Sequence, residues 1–275
     1  MISTLKHLYG VLKWKIAKNT TRWQLNCICC PVCKSKMQHV DSNTRFNIVC
    51  CTCCGHATTS IQLNESELDI LYDGLSYWQK DKGHQGIINF WEGNWDDFLR
   101  PRLESIYDHA KFSDISSKNV LEIGCSEGKL LHELNNRGHK VLGFECNKTL
   151  AEMGSRAFSL PIKGERFTAE KLEGEKFDLV LAYHTIEHVA NVGKIVSDLS
   201  TATARNGKLV AELPIETIYN NPDHIHYFTE KSIQILFCVY YSKVEIVRNG
   251  FIDGKGDYTK SVYVIASNPT GMKYN

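Results

Sequence analysis

At 275 residues the chain is long for one domain and short for two large ones, which points to one main domain with an appendage. Hydrophobic content of 43% and charged content of 23% are ordinary for a globular protein, and no run approaches the ~18 apolar residues of a membrane span, so a spanning helix is excluded. The net charge of +1 hides an uneven distribution: residues 1–60 hold eight Lys/Arg and one acid, giving +7, and the remainder carries −6.

Residues 1–24 read as a basic amphipathic segment in which Lys13, Lys15 and Lys18 interrupt Leu5, Leu8, Leu12, Trp14 and Ile16. Without a clean apolar stretch it is no secretory signal, and the chain is expected to be cytoplasmic. The segment either packs on its own protein or lies on an anionic membrane surface. Residues 25–58 are dominated by cysteine: eight of the eleven fall between 27 and 54. In a reducing compartment that density points to metal before disulfides. Cys30-Pro31-Val32-Cys33 and Cys51-Thr52-Cys53-Cys54 give two C-x2-C knuckles with 17 residues between them, the spacing of a tetrahedral four-thiolate zinc ribbon. Cys27 with Cys30, and Cys50 with Cys53, share the same separation, so the register rests on two local cues. Pro31 suits a knuckle turn, and Gly55 supplies a permissive backbone after the last ligand. Cys30, Cys33, Cys51 and Cys54 are therefore the expected ligands, with Cys27, Cys29, Cys50 and Cys53 spare. A hairpin over 37–49 brings the knuckles together.

Residues 59–112 read as a polar linker, an aromatic cap containing Tyr72, Tyr77, Trp78, Phe90, Trp91 and Trp95, and a helix over 96–111. In residues 113–275 strands and helices alternate. Strands are expected at 119–123, 140–145, 160–163, 177–182 and 207–213, with helices at 128–137, 147–156 and 192–202. That is a βαβ pattern with a parallel sheet. A helix over 229–238, capped by Thr229 with Ser232 on its first turn, precedes two strands, 243–248 and 260–266, expected to form an antiparallel edge.

The strand Val120-Leu121-Glu122-Ile123 runs into Gly124-Cys125-Ser126-Glu127-Gly128, a glycine turn opening a helix. Glu145 closes the next strand 21 residues past Gly124, the offset at which an α/β acid reaches ribose hydroxyls. A nucleoside cofactor is the expectation, but Ser126 and Lys129 stand where a dinucleotide fingerprint needs glycine. With Phe177-Asp178-Leu179-Val180, Glu187-His188-Val189 and the segment His224–Thr229 following in order, the chain resembles the class I S-adenosylmethionine-dependent methyltransferases from about residue 96 to its end. The resemblance implies an α/β fold with a Rossmann-like seven-stranded methyltransferase sheet behind the small N-terminal zinc ribbon. It implies S-adenosylmethionine held by Glu122, Gly124, Cys125, Ser126, Gly128, Glu145, Tyr183 and His184.

A sulfonium methyl is already a good electrophile, so the protein's task is in-line positioning and, for a weak nucleophile, removal of a proton. Two titratable segments reach the carboxyl end of the sheet, His184–His188 and Asp223–Tyr227. Asp223, His224 and Tyr227 resemble an acid-His-x-x-Tyr segment of zinc-containing methyltransferases that act on nucleotide-linked deoxysugars, although the long C-terminal domain of those enzymes is missing. His188, Asp223, His224 and Tyr227 are the candidate catalytic residues. The expected partner is a small hydroxylated, sugar-like acceptor such as a nucleotide-sugar or polysaccharide precursor. Two alternatives stand beside it. His184, Glu187, His188 and His224 or His226 resemble the metal set of small-RNA 3′-end methyltransferases, with His184 in place of a glutamate. The other is a non-catalytic zinc-ribbon module that binds nucleic acid or a partner.

Overall fold

The computed structural model describes residues 29–40, 48–59, 64–65, 68, 99–113, 116–216, 219, 224–252 and 258–274. The basic segment 1–24, the aromatic cap over 69–95, Cys27 and Asp223 lie outside the described residues. Three short strands come first: β1 (Met37–His39), β2 (Ile48–Cys51) and β3 (Ala57–Thr59). The predicted hairpin is present, with Met37 opposite Cys51 and His39 opposite Val49. A helix, α1 (Arg100–Glu104), has Pro101 in its first turn, where a missing N–H is harmless, and continues as a five-residue π-helical stretch, Ser105–His109.

The alternating part follows the expected order. It comprises β4 (Asn119–Ile123), α2 (Lys129–Asn136), β5 (Lys140–Phe144), α3 (Lys148–Phe158), β6 (Ile162–Lys163), β7 (Phe177–Tyr183), α4 (Val192–Ala202) and β8 (Thr203–Pro214). After β9 (His226–Tyr227) and α5 (Glu230–Tyr240), two long strands, β10 (Tyr241–Ile252) and β11 (Tyr258–Pro269), complete a seven-stranded sheet ordered β10-β11-β8-β7-β4-β5-β6. The two C-terminal strands form the expected antiparallel edge: β11 pairs antiparallel with β8, and β10 pairs antiparallel with β11 and takes the outermost place. The chain crosses to the far edge through α5 before β10, and the hairpin returns β11 into the gap, an order that strand periodicity does not encode.

Along each central strand successive side chains enter opposite cores. Leu121, Val180 and Ala182 pack toward α4 and α5, while Val120, Leu179 and Leu181 pack toward α1 and α2. Burying each such leucine contributes roughly 1.5–3 kcal/mol. The first core also contains Cys30, Val32, Met37, Val49, Cys51 and Cys54, so the cysteine ribbon shares the interior of the main domain. Its sheet, ordered β1-β2-β3-β9, is closed by a strand from the sheet's own C-terminal half. The expected cap of α5 is present in full: Ser232 N–H donates to Thr229 Oγ1 at 3.0 Å and Thr229 N–H to Ser232 Oγ at 2.9 Å. Among the described residues no helix is long and apolar enough to cross a membrane.

Candidate active site

The cofactor half of the site is built where β4, β5 and β7 end. Gly124 leaves β4 with φ +65°, and a Cβ there would sit 2.4 Å from Thr185 Oγ1, so the turn requires glycine for both conformation and space. Ser126 and Asn147 donate their N–H groups to the two carboxylate oxygens of Glu145 at 2.9 and 2.8 Å, which fixes that side chain at the end of β5. Burial raises Glu145 above the usual carboxylate range although these N–H groups oppose it. Glu122 is pushed to about 8 by burial, against the pull of Arg102, and its Oε2 has no hydrogen-bond partner. An unpaired buried carboxyl beside a glycine loop is a place for a ligand's cationic or donor group. Gly128 opens α2 in the left-handed region, and Cys125 is buried, its Sγ packed against Gly143.

A cavity of about 230 Å³ lies beside this loop, lined by Gly124, Phe144, Cys146, Phe167, Thr185 and Ile195 among others. Phe144 and Phe167 meet edge to face at 5.2 Å and give it an apolar, aromatic lining. Sequence reasoning missed Cys146, Phe167 and Thr185. Each lies just past a strand of the sheet, which is the signal that would have found them. Tyr183 faces elsewhere: its hydroxyl is 2.8 Å from Ser105 Oγ and the Arg102 guanidinium lies 4.9 Å over its ring.

The second half is a polar cluster after β7 and β8. Glu187 is fully buried, and three histidines surround it: His184 Nδ1 at 3.4 Å, His188 Nε2 at 3.8 Å and His224 Nε2 at 4.0 Å from Oε1. Burial disfavours its charge, but His184 and the other two rings outweigh that and hold the carboxyl down at about 2. His224 donates from Nδ1 to Glu216 Oε2 at 2.7 Å, and its ring meets that of His188 edge on at 4.9 Å. Glu216 carried no sequence signal, because it stands eight positions before the histidine it orients, a separation that matches no local motif. His226 is turned away from this cluster. It accepts from His56 Nε2 at 3.2 Å and donates from Nε2 to Val189 O at 3.1 Å, and burial pushes it to about 4. Tyr227 is buried under β3, its ring 6.3 Å from that of His224.

His184 lies between two carboxylates, Glu187 and, at 3.5 Å, Glu212. Burial disfavours its cation, yet Glu212 and Glu187 together raise it to about 10. Its folded value exceeds the ordinary ~6.5, so the stability it contributes is full below that pH and is lost as pH rises through about 10. His184→Gln is expected to destabilise by about 2–3 kcal/mol at pH 6, less than a wholly buried pair because the ring is 26% exposed. Urea denaturation at pH 6, 8 and 10 checks this. A gap between the two proteins that does not narrow toward pH 10 rules out the charged bridge.

The four sulfur atoms of Cys30, Cys33, Cys51 and Cys54 lie within 4.8 Å of one another, with Cys30–Cys54 at 3.6 Å and Cys33–Cys51 at 3.4 Å. These separations are far beyond the ~2.05 Å of a disulfide and close to the about 3.8 Å edge of a tetrahedron with ~2.3 Å metal–sulfur bonds. Cys53 and Cys54 donate their N–H groups to Cys51 Sγ at 3.4 and 3.5 Å, orienting that knuckle. Cys50 turns its thiol to the carbonyls of Cys51 and Gly55, and Cys29 and Cys53 are exposed.

A family model described as a methyltransferase domain matches residues 95–238, which leaves the cysteine ribbon outside it. The chain is 28% identical over 152 residues to the ubiquinone biosynthesis O-methyltransferase of Rickettsia prowazekii (strain Madrid E), a match covering 53% of this chain and 57% of that protein. The enzyme of the same name from Bartonella bacilliformis is 27% identical over 146 residues, covering 50% and 59%. The chain thus spans somewhat over half the length of these curated relatives. Among solved structures, a Burkholderia thailandensis 1,6-didemethyltoxoflavin-N1-methyltransferase, with bound 1,6-didemethyltoxoflavin and S-adenosylhomocysteine, superposes with a TM-score of 0.52 at 15% identity. It covers 84% of this chain and 99% of its own, a likeness of fold.

Proposed function

The chain belongs to the class I S-adenosylmethionine-dependent methyltransferase family, and we propose that it methylates a hydroxyl of a small, polyhydroxylated acceptor, with His224 as the base. The observation that carries this is the Glu216–His224 pair at 2.7 Å, set opposite His188 at the carboxyl end of the sheet that also presents Gly124 and Glu145. The O-methyltransferase names of the relatives support a hydroxyl acceptor. A hydroxyl is a weak nucleophile until it loses its proton, and an oriented imidazole is the group that takes it.

When bound, S-adenosylmethionine supplies an electrophilic methyl on sulfonium. The chain's residues do the rest. Glu145 would receive the ribose hydroxyls, the backbone from Gly124 to Gly128 would lie against the ligand, and Glu122 would offer its unpaired oxygen to the amino-acid end. Glu216 holds His224 with its proton on Nδ1, so Nε2 would be free of a proton and able to take that of the acceptor hydroxyl as the oxygen–methyl bond forms and the sulfur–methyl bond breaks, the sulfur leaving as a neutral thioether. The imidazolium so produced is stabilised by Glu216 and by Glu187. Tyr227 packs behind His224, and His188 forms the facing wall. In this reading the acid that orients His224 is Glu216, whereas the candidate Asp223 lies outside the described residues. For the four-thiolate cluster we propose structural zinc, which suits an all-sulfur tetrahedral set.

Glu145→Ala is expected to weaken S-adenosylhomocysteine binding ten- to hundred-fold, about 1.5–3 kcal/mol, measured by titration calorimetry. Unchanged affinity would remove Glu145 from the cofactor site.

One observation favours a second reading. Ligand atoms of Glu187, His188 and His224 lie within 4.8 Å of one another, and neither oxygen of Glu187 has a hydrogen-bond partner. A divalent ion there would act as a Lewis acid on a ribose hydroxyl at an RNA 3′ end. Incubation with methyl-labelled cofactor, a set of catechols and nucleotide sugars, and an RNA oligonucleotide separates the two. Label on a small hydroxyl, indifferent to added Mn²⁺, supports the base; Mn²⁺-dependent label on RNA supports the ion. Label on neither, with cofactor binding intact, removes both.

A further inference from the structure

We propose that the cysteine ribbon is the positioning element of the acceptor face: its third strand clamps the backbone beside His224, so that metal in the ribbon orders the base without affecting the cofactor half.

The clamp is continuous from sulfur to site. Gly55 follows the last ligand at φ +75°, and a Cβ there would lie 3.0 Å from Thr229 Cγ2, so the knuckle sits directly on the cap of α5. Thr229 Oγ1 donates to Cys54 O at 2.8 Å while accepting from Ser232, and Lys231 Nζ donates to Cys53 O at 2.5 Å. On the other side of the knuckle β3 pairs antiparallel with β9, Ala57 opposite Tyr227 and Thr58 opposite His226. Thr59 N–H at 3.1 Å and Thr58 Oγ1 at 2.8 Å both donate to Ile225 O. Ile225 N–H in turn donates to Glu187 O at 3.0 Å. The residue after His224 is thus held between the ribbon and the turn that carries Glu187 and His188. The His56–His226–Val189 chain, buried throughout, makes a second link between the same two elements.

A two-residue strand has no stability of its own, so β9 exists because β3 gives it a partner. The polar groups of the cofactor half are held differently. Glu145 is held by Ser126 and Asn147, and Gly124 packs on Thr185, all within the main sheet's own loops. Ribbon order therefore reaches one half of the site selectively. Thr58 and Thr229 are positioning residues, since they act through Ile225 and α5.

The inference takes its catalytic meaning from the reading of His224 as the base, but its test reads backbone order and so fails separately from that reading. The full-length zinc-loaded chain and the same chain after chelation are compared by amide hydrogen exchange and by titration with S-adenosylhomocysteine. Chelation is expected to speed exchange in 224–229 by about 100-fold or more, while 120–123, 140–144 and cofactor affinity change by less than about threefold. Because stripping metal can unfold more than the ribbon, Thr58→Val provides a milder break. It should keep one zinc per chain, speed exchange in 225–228 by roughly 10-fold and broaden the His224 ring signals in NMR spectra, and Thr58→Ser should restore both. Unchanged exchange in 224–229 after chelation, or in Thr58→Val, overturns the proposal. So does equal loss of the cofactor site, which would make the ribbon a general support.

Discussion

Cys51→Ser is expected to empty the metal site and unfold the ribbon, whereas Cys27→Ser should retain about one zinc per chain by elemental analysis. The effect is large because structural zinc contributes on the order of 10–16 kcal/mol of binding energy that is also folding energy. The ribbon has little else of its own: three strands of three or four residues, and a core borrowed from α4 and α5. Thiolate ligands must also stay deprotonated, so acid should release the metal and the ribbon should loosen with it. Cys30→Ser should behave as Cys51→Ser does, since their sulfurs belong to the same cluster. Zinc lost from Cys27→Ser but kept in Cys33→Ser would place the ligands one knuckle away.

The parts of this molecule that sequence exposes are those with a strong local period or a fixed spacing. Val120–Ile123 is apolar but for Glu122, and Phe177–Ala182 but for Asp178, because their strands are buried on both faces, and α4 spans the expected 192–202 because Asn191 caps it, accepting from Lys194 N–H at 3.0 Å. The place of Glu145, just past β5 and beside the glycine turn, follows from the strand pattern and its offset to Gly124. What sequence leaves dark depends on distant partners. Strand β9 has too few residues to show a period and takes its form from β3. His226 lies two residues past His224 and shares Ile225 with it as a neighbour, yet one ring reaches Val189 and His56 of the ribbon while the other reaches Glu216. Glu216 sits two residues past the end of β8, and no spacing or pattern in the sequence ties it to His224. The order of β10 and β11 in the sheet is equally non-local, since both strands are long and similarly patterned.

His224→Gln is expected to lower turnover about 10²- to 10⁴-fold, with S-adenosylhomocysteine affinity within a few-fold of the parent. Glutamine keeps much of the size and can still donate to Glu216, so the fold and the clamp at Ile225 should survive; what is lost is the nitrogen that takes the proton. Glu216→Gln should give a smaller loss, roughly 10- to 100-fold, because the amide no longer stabilises the imidazolium although it still fills the space. If Glu216 acts only through His224, the double variant should be no slower than His224→Gln alone, the non-additivity expected of groups that work as a unit. His188→Gln distinguishes the two facing rings: a lowered melting temperature with near-normal turnover assigns His188 to the wall. An acceptor that is already ionised at the working pH offers a sharper check, since it needs no base. Its methylation should be almost indifferent to His224→Gln, while that of a neutral hydroxyl collapses. Equal losses on both acceptors would mean that His224 positions the acceptor and takes no proton from it.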